Sequence, residues 1–362
     1  MTSSSIPGAV RLRRIRHRGR GLAAWSADHQ STGPRRRLQI ALGLLWLLDA
    51  ALQYQPYMFS RSFATKIISA SATGSPGPVA APVRLASHLM LHNIVAWNAA
   101  FATCQLALGA ALLWRPTAKA GLVGTVVWSA AVWWLGESLG GVLTGAASPL
   151  TGAPGAAILY GLVALLAWPT RLGDRRLAGC GDGRPARSSG RALASIADGG
   201  LLGTRWPKAL WLLLWAGSAC LMLQAPNRAP GAVRASIASL AAGEPHWIAT
   251  MDHAAAVAAG HADSLAPTVL AAAFAAIGIA IFIPPAVRPA LTLSIILALA
   301  SWVIGQNFGG ILTGQATDPN AGPLLVLLAL AFWPHPAASR RAPRRPPGRA
   351  STEPPVGALA AR

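Results

Sequence analysis

Apolar runs close to the length needed to cross a bilayer recur along the chain, and they constrain its fold more than any other feature. They lie near 38–58, 90–114, 118–136, 154–168, 207–224, 264–284, 288–305 and 321–333. At ~1.5 Å of rise per residue, ~20 apolar helical residues span a ~30 Å hydrocarbon core. The expected fold is therefore all-α, a polytopic membrane protein with eight transmembrane helices. Composition agrees: 53% of the 362 residues are hydrophobic and only 12% are charged, about half the charged share of a soluble domain. The last run covers roughly 20 Å. Either its helix extends beyond the apolar residues, or the segment before it dips into the membrane.

The net charge of +20 would suit nucleic-acid binding, but its placement excludes that reading. Basic residues concentrate in an arm at 1–37, a linker at 170–206 and a tail at 335–362. With a cytoplasmic N-terminus, 26 of the 31 Lys and Arg fall inside, and only Arg61, Lys66, Arg84, Arg228 and Arg234 fall outside. That bias predicts a multi-pass protein of the cell (plasma) membrane with both termini cytoplasmic. Its first partner is then the lipid bilayer. The Ser-, Gly- and Arg-rich arm and the basic tail are expected to be disordered, and the arm does not have the pattern of a cleaved signal peptide.

A ten-residue stretch occurs twice. Gly136-Glu-Ser-Leu-Gly-Gly-Val-Leu-Thr-Gly145 and Gly305-Gln-Asn-Phe-Gly-Gly-Ile-Leu-Thr-Gly314 share six of ten positions. Trp133 and Trp302 precede them at the same distance. An offset of 169 residues also places Trp46 on Trp215, Gln55 on Gln224, His92 on His261, Gly109 on Gly278 and Pro116 on Pro285. A later offset of 165 places Trp168-Pro169 on Trp333-Pro334. The pattern reads as two four-helix membrane units, 38–169 and 207–334, repeated in parallel. Both glycine-rich loops then face outward. Helical pieces at 61–70 and 232–241, each stopped by Gly-x-Pro, are expected on the outer membrane surface.

Few polar groups interrupt the apolar segments. Asp49 lies inside the first one, where an ionisable group is costly and becomes a functional candidate; its counterpart is Ser218. The loops contribute Glu137, Ser138 and Thr144 in the first unit and Gln306, Asn307, Thr313 and Asp318 in the second. Gln55 and Gln224 end the first helix of each unit and are expected near the same level. Polar backbone at membrane depth must be buried in protein or line a wet cavity. The glycines Gly136, Gly140, Gly141, Gly145, Gly305, Gly309, Gly310 and Gly314 thus have two readings: close helix packing through GxxxG contacts, or a ligand-lined pocket. His92 and His261 can be read as a metal or haem pair or as polar anchors at the interface; no metal-ligand spacing such as HExxH accompanies them. Cys104, Cys180 and Cys220 form no CxxC pair, which excludes dithiol exchange. Trp114, Trp168, Trp206 and Trp333 read as an aromatic belt. Nucleotide-binding, nucleophile-elbow and c-type haem motifs are all missing from the sequence.

One stretch carries a resemblance. Gln105-Leu-Ala-Leu-Gly-Ala-Ala-Leu-Leu-Trp-Arg-Pro116 runs into Ala118-Lys-Ala-Gly-Leu-Val, with Gly278, Pro285 and Arg288 at the matching places of the second unit. Each unit thereby resembles DoxX-like four-helix membrane proteins, here in tandem. The resemblance implies a redox-associated component, not catalytic alone, that holds a quinone or lipid near the outer leaflet and works with redox partner proteins. Two other readings stand beside it: a small-solute or ion transporter with Asp49 and Glu137 on its path, and a structural or assembly protein.

Overall fold

The computed structural model describes residues 33–170, 193–260 and 265–336. Apart from one two-residue strand pairing, the described chain is helical. The first half contains α1 (Gly33–Gln53), α2 (Gly77–His92), α3 (Ile94–Leu113), α4 (Ala118–Leu135) and α5 (Ala156–Leu166). The second contains α6 (Arg205–Met222), α7 (Ala232–Leu240), α8 (His246–Gly260), α9 (Ala266–Ala280), α10 (Val287–Ile304) and α11 (Ala321–Phe332).

Each apolar run has become a helix. Three helical stretches are both long and apolar enough to cross a membrane: Ile94–Leu113, Arg115–Leu135 and Pro284–Thr313. Ala156–Leu166, Ala266–Ala280 and Ala321–Phe332 are apolar but shorter. Helix α1 is long enough, but it carries Arg35, Arg36, Arg37 and Asp49, which lower its hydropathy.

The segments expected as outer connections contain more helix than the sequence reading assigned. The piece near 61–70 is present as a π-helical turn, Phe63–Ile68, continued by Ser69–Ser71. Its counterpart near 232–241 is α7. In addition, α2 and α8 occupy much of the chain between those pieces and the next apolar runs. The second apolar helix starts at Ile94 and not near 90, because Asn93 leaves helical geometry (φ −154°, ψ 74°) and its side chain accepts from the Ala96 N–H at 3.1 Å. That side-chain cap satisfies one orphan donor of the new helix.

Helix α1 packs along α3, α3 on α4, and α4 on α5; α6 packs on α9, α9 on α10, and α10 on α11. Helices α5 and α11 meet at the centre, with α1 touching both. One apolar core runs through this seam, including Trp46, Leu159, Tyr160 and Val163 with Trp211, Phe274, Leu324 and Leu328.

The end opposite the glycine loops is tied by α1. Arg35 is fully buried and donates to the carbonyls of Leu166 at 2.8 Å, Trp168 at 2.6 Å and Ile196 at 3.1 Å. Arg36 donates to Leu112 at 2.7 Å and also to Leu113. Gln39 reaches Ala167 at 3.1 Å. The last carbonyls of a helix have no partner within it, so the start of α1 satisfies the ends of α3 and α5. Leu193–Ala194 pairs antiparallel with His335–Pro336 nearby, joining the end of the linker to the chain after α11.

Candidate functional site

The two repeated stretches turn the chain in the same unusual way. Ser138, Leu139, Gly140 and Gly141 have φ of 51°, 57°, 63° and 67°; Asn307, Phe308, Gly309 and Gly310 have 43°, 56°, 78° and 66°. Each is one turn of left-handed helix, a conformation costing roughly 1–2 kcal/mol per non-glycine residue. Tertiary contacts hold it. A Cβ on Gly140 would overlap the Pro154 carbonyl, and one on Gly309 would lie 2.6 Å from the Pro319 carbonyl carbon. Trp133 Nε1 donates to the Pro154 carbonyl and Trp302 Nε1 to that of Pro319, both at 2.7 Å. Gly140, Gly141, Gly145, Gly309, Gly310 and Gly314 therefore serve left-handed backbone, and Gly140 and Gly309 also a close approach to the returning loop, whereas Gly136 and Gly305 stay right-handed and a Cβ on Gly305 would meet the Leu150 carbonyl.

The acidic and amide residues of the stretches cap the helices that follow. Glu137 Oε1 accepts from the Ala157 N–H at 3.0 Å, at the start of α5. Gln306 Oε1 accepts from the Gly322 N–H at 3.2 Å, at the start of α11. Thr144 and Thr313 donate to the carbonyls of Gly141 and Gly310 at 2.8 and 2.7 Å, closing the loops.

A cavity of about 490 Å³ lies beside the first loop. Its walls come from α1 to α5 and from the helical piece at 63–71, and they are apolar: Trp46, Phe63, Ile68, Met90, Trp97, Phe101 and Leu135 among others. Thr317 and Asp318 enter it from the second half. Asp49 and Tyr160 hydrogen-bond to each other across it, and three further polar atoms of lining residues are buried without a partner: Gln105 Oε1, Trp128 Nε1 and Glu137 Oε2. These five residues belong to α1, α5, α3, α4 and the loop. Buried polar atoms are nearly always paired, so three unpartnered ones and a polar pair around one apolar space match the few convergent polar groups of a ligand pocket. A second recess of about 300 Å³, lined by Ser148, Thr151, Gly152 and Asn320, shares Glu137, Ala156 and Asp318 with the first.

Electrostatics at that junction disfavours charge. Burial, then the neighbouring Asp318, pushes the Glu137 carboxyl up to about 8, against the pull of the α5 N–H groups. Burial also raises Asp318, opposed by its bonds from Thr317 Oγ1 and the Asn320 N–H, both at 2.8 Å. Near neutral pH, Glu137 is an uncharged acid able to donate a hydrogen bond.

Of the sequence candidates, Asp49, Glu137 and Asp318 meet in the cavity. Gln55 and Gln224 do not join them: each turns its Oε1 into protein without a partner, and neither lines either space. Asn227, not Gln224, reaches the first loop, donating to the Ala147 carbonyl at 2.8 Å. Ser138 donates to Ser75 Oγ at 2.9 Å and Asn307 to Asp252 at 2.8 Å, so Ser138 faces the turn before α2 and Asn307 faces α8. His92 is exposed at the end of α2, 5.2 Å from the ring of His88. His261 and Cys180 lie outside the described residues. Among the described residues no three His, Cys, Asp or Glu side chains cluster as metal ligands. Gln105, Trp128 and Tyr160 were missed, because each sits in an apolar run where it reads as packing. The one available signal was that Trp and Tyr need a partner for N–H or O–H when buried.

Comparison with protein-family models, with curated proteins and with solved structures gives no match to the chain.

Proposed function

We propose that the protein is a multi-pass component of the cell membrane that binds an amphiphile of the quinone or lipid class in the cavity of its first half. On this reading its eight apolar helices form two parallel four-helix units, its termini are cytoplasmic, and the glycine loops lie at the outer side. The observation that carries the reading is the set of convergent polar groups, the Asp49–Tyr160 pair with the unpartnered Gln105, Trp128 and Glu137 atoms, around an otherwise apolar space. Trp128 N–H, the protonated Glu137 and the Tyr160 O–H turned from Asp49 can donate to quinone carbonyls, while Asp49 and Gln105 can accept from the hydroxyls of the reduced form. The aromatic walls suit a flat ring and an isoprenoid or acyl chain. No electron donor is part of the proposal: the protein holds the ligand, and a redox partner supplies electrons.

The test uses the cavity tryptophans Trp46, Trp97 and Trp128 as reporters. The full chain in detergent is titrated with a short-chain naphthoquinone, which quenches tryptophan on contact. Saturable quenching is expected. Tyr160→Phe should weaken the affinity by about 2- to 12-fold, the equivalent of one hydrogen bond of roughly 0.5–1.5 kcal/mol. Quenching that rises linearly without saturating, or an affinity unchanged in Tyr160→Phe, would refute the reading.

One observation favours a second reading. The cavity and the polar recess share Glu137 and Asp318, as a gated path for a small solute or ion would. Vesicle uptake that falls in both Asp49→Asn and Glu137→Gln would favour transport over binding alone.

A further inference from the structure

The second half holds a polar cluster that the cavity does not use. Asp252 on α8 is fully buried, yet its Oδ1 has no hydrogen-bond partner. Asn307 Nδ2 donates to Asp252 Oδ2 at 2.8 Å and to the Leu240 carbonyl at 3.0 Å. The Leu240 carbonyl can only accept, so the amide NH2 faces this pair and Oδ1 is left over. That Oδ1 is also buried and unpartnered. Glu244, in the turn between α7 and α8, accepts a hydrogen bond from the Asn307 side chain and feels the charge of Asp252. Its Oε2 is buried with no donor. One side-chain oxygen of each member of this cluster, from a turn, a helix and the left-handed loop, thus remains without a partner.

The first half carries an internal control. At an offset of 169 residues the same three positions are Ser75, Val83 and Ser138. There Ser138 donates to Ser75 at 2.9 Å and Val83 is fully buried. Neutral groups therefore suffice to pack an outer helical piece against a glycine loop. The second half has two carboxyls and an amide instead, which is destabilising without a compensating positive charge.

We propose that Glu244, Asp252 and Asn307 form a binding site for a hard divalent cation of the calcium class. All three available donors are oxygens, which suits calcium and not the softer metals that favour sulfur and imidazole. Two carboxylates balance a double charge, and water completes the shell of six to eight oxygens usual for calcium. Asn307 opens the left-handed turn, so a bound cation fastens that turn to the α7–α8 pair. The site is separate from the cavity and stands whether or not the cavity binds a quinone.

Calcium binding to the full chain in detergent is measured by equilibrium dialysis with radioactive Ca2+, and the thermal midpoint is followed with Ca2+, Mg2+ or Na+ at constant ionic strength. One saturable Ca2+ per chain is expected, with a midpoint raised by Ca2+ and lowered again by chelator. Asp252→Asn should weaken binding at least tenfold. The triple change Glu244→Ser, Asp252→Val and Asn307→Ser installs the set that the first half already accommodates, and it should abolish both binding and the shift. No saturable Ca2+ binding, a shift produced equally by Na+, or binding retained in Asp252→Asn would overturn the proposal, and none of these depends on the triple variant folding.

Discussion

Alanine at Gly140 and at Gly145 should have very different effects, although both glycines belong to the same loop and both have positive φ. Gly145 has φ 77° and nothing within 4 Å of the position a Cβ would take. Gly145→Ala therefore bears only the left-handed penalty, about 1–2 kcal/mol. Gly140 has φ 63°, and its Cβ would occupy the space of the Pro154 carbonyl. Either the turn or the returning loop must move. That movement disrupts the Trp133–Pro154 hydrogen bond and the cap between Glu137 and Ala157, each worth about 1 kcal/mol. Adding these to the backbone term gives roughly 3–4 kcal/mol for Gly140→Ala before any loss of packing. At about 2–4 °C per kcal/mol, the two variants should differ by several degrees or more in thermal midpoint in one detergent. Gly309 and Gly314 provide a second copy of the experiment. A Cβ on Gly309 meets the Pro319 backbone at 2.6–2.8 Å, whereas Gly314 faces open space. Equal losses within each pair would refute the argument that close approach, and not φ alone, makes the inner glycines indispensable.

Two further perturbations address the ends of the bundle. Arg35→Met removes the donor for three carbonyls at buried helix and linker ends; a loss of about 3–5 kcal/mol is expected, while the exposed Arg37→Met serves as a near-neutral control, and comparable midpoints for the two would contradict the capping role. For Glu137, the folded carboxyl titrates near 8 against an ordinary value of 4.5. Its contribution to stability is therefore greatest below the ordinary value and is lost as pH rises through 8. Burial raises Asp318 in the same direction. The thermal midpoint should fall between pH 5 and pH 9 in the native chain and fall less in Glu137→Gln, whose amide oxygen can keep the Ala157 bond as Gln306 keeps that of Gly322; an identical slope in the variant would count against the assignment.

Much of the helical framework was legible because long apolar runs leave the backbone few alternatives in a low-dielectric setting. The boundaries failed where local chemistry overrode hydropathy, as at Asn93, whose side chain starts a new helix in the middle of an apolar-looking stretch. Helix α2 was hidden because Pro78 and Pro82 read as turn signals; Pro78 stands in its first turn, where no N–H is needed. The glycine pairs announced a tight turn. Nothing announced that Ser138 and Leu139, or Asn307 and Phe308, would share the left-handed conformation, because that depends on the returning Pro154 and Pro319 loops. At the cavity, Asp49 and Glu137 stood out as ionisable groups among apolar ones. Tyr160, Trp128 and Gln105 did not, since Tyr160 matters through its bond to Asp49 and the other two through lacking a partner, which only the assembled structure reveals.

The matched positions of the two halves argue that any ligand is held on one side only. Asp49, Gln105 and Trp128 correspond by offset to Ser218, Phe274 and Leu297, and Tyr160, by the later offset, to Leu325. Ser218 turns back on its own helix, donating to the Leu214 carbonyl at 2.8 Å. Phe274 packs on Trp215 with ring centroids 5.5 Å apart. The polar atoms that surround the cavity in the first half are thus replaced by packing in the second. Glu137 and Gln306 keep the same cap in both, so the loop architecture does not depend on the charge. What the acid adds is a proton that Gln306 cannot hold, placed where an apolar space meets a polar one. The second half has polar groups of its own, but on the outer face of its loop, at Glu244, Asp252 and Asn307. The two halves therefore place their polar groups differently: the first within its helices, around the cavity, and the second where α7 and α8 meet the left-handed turn.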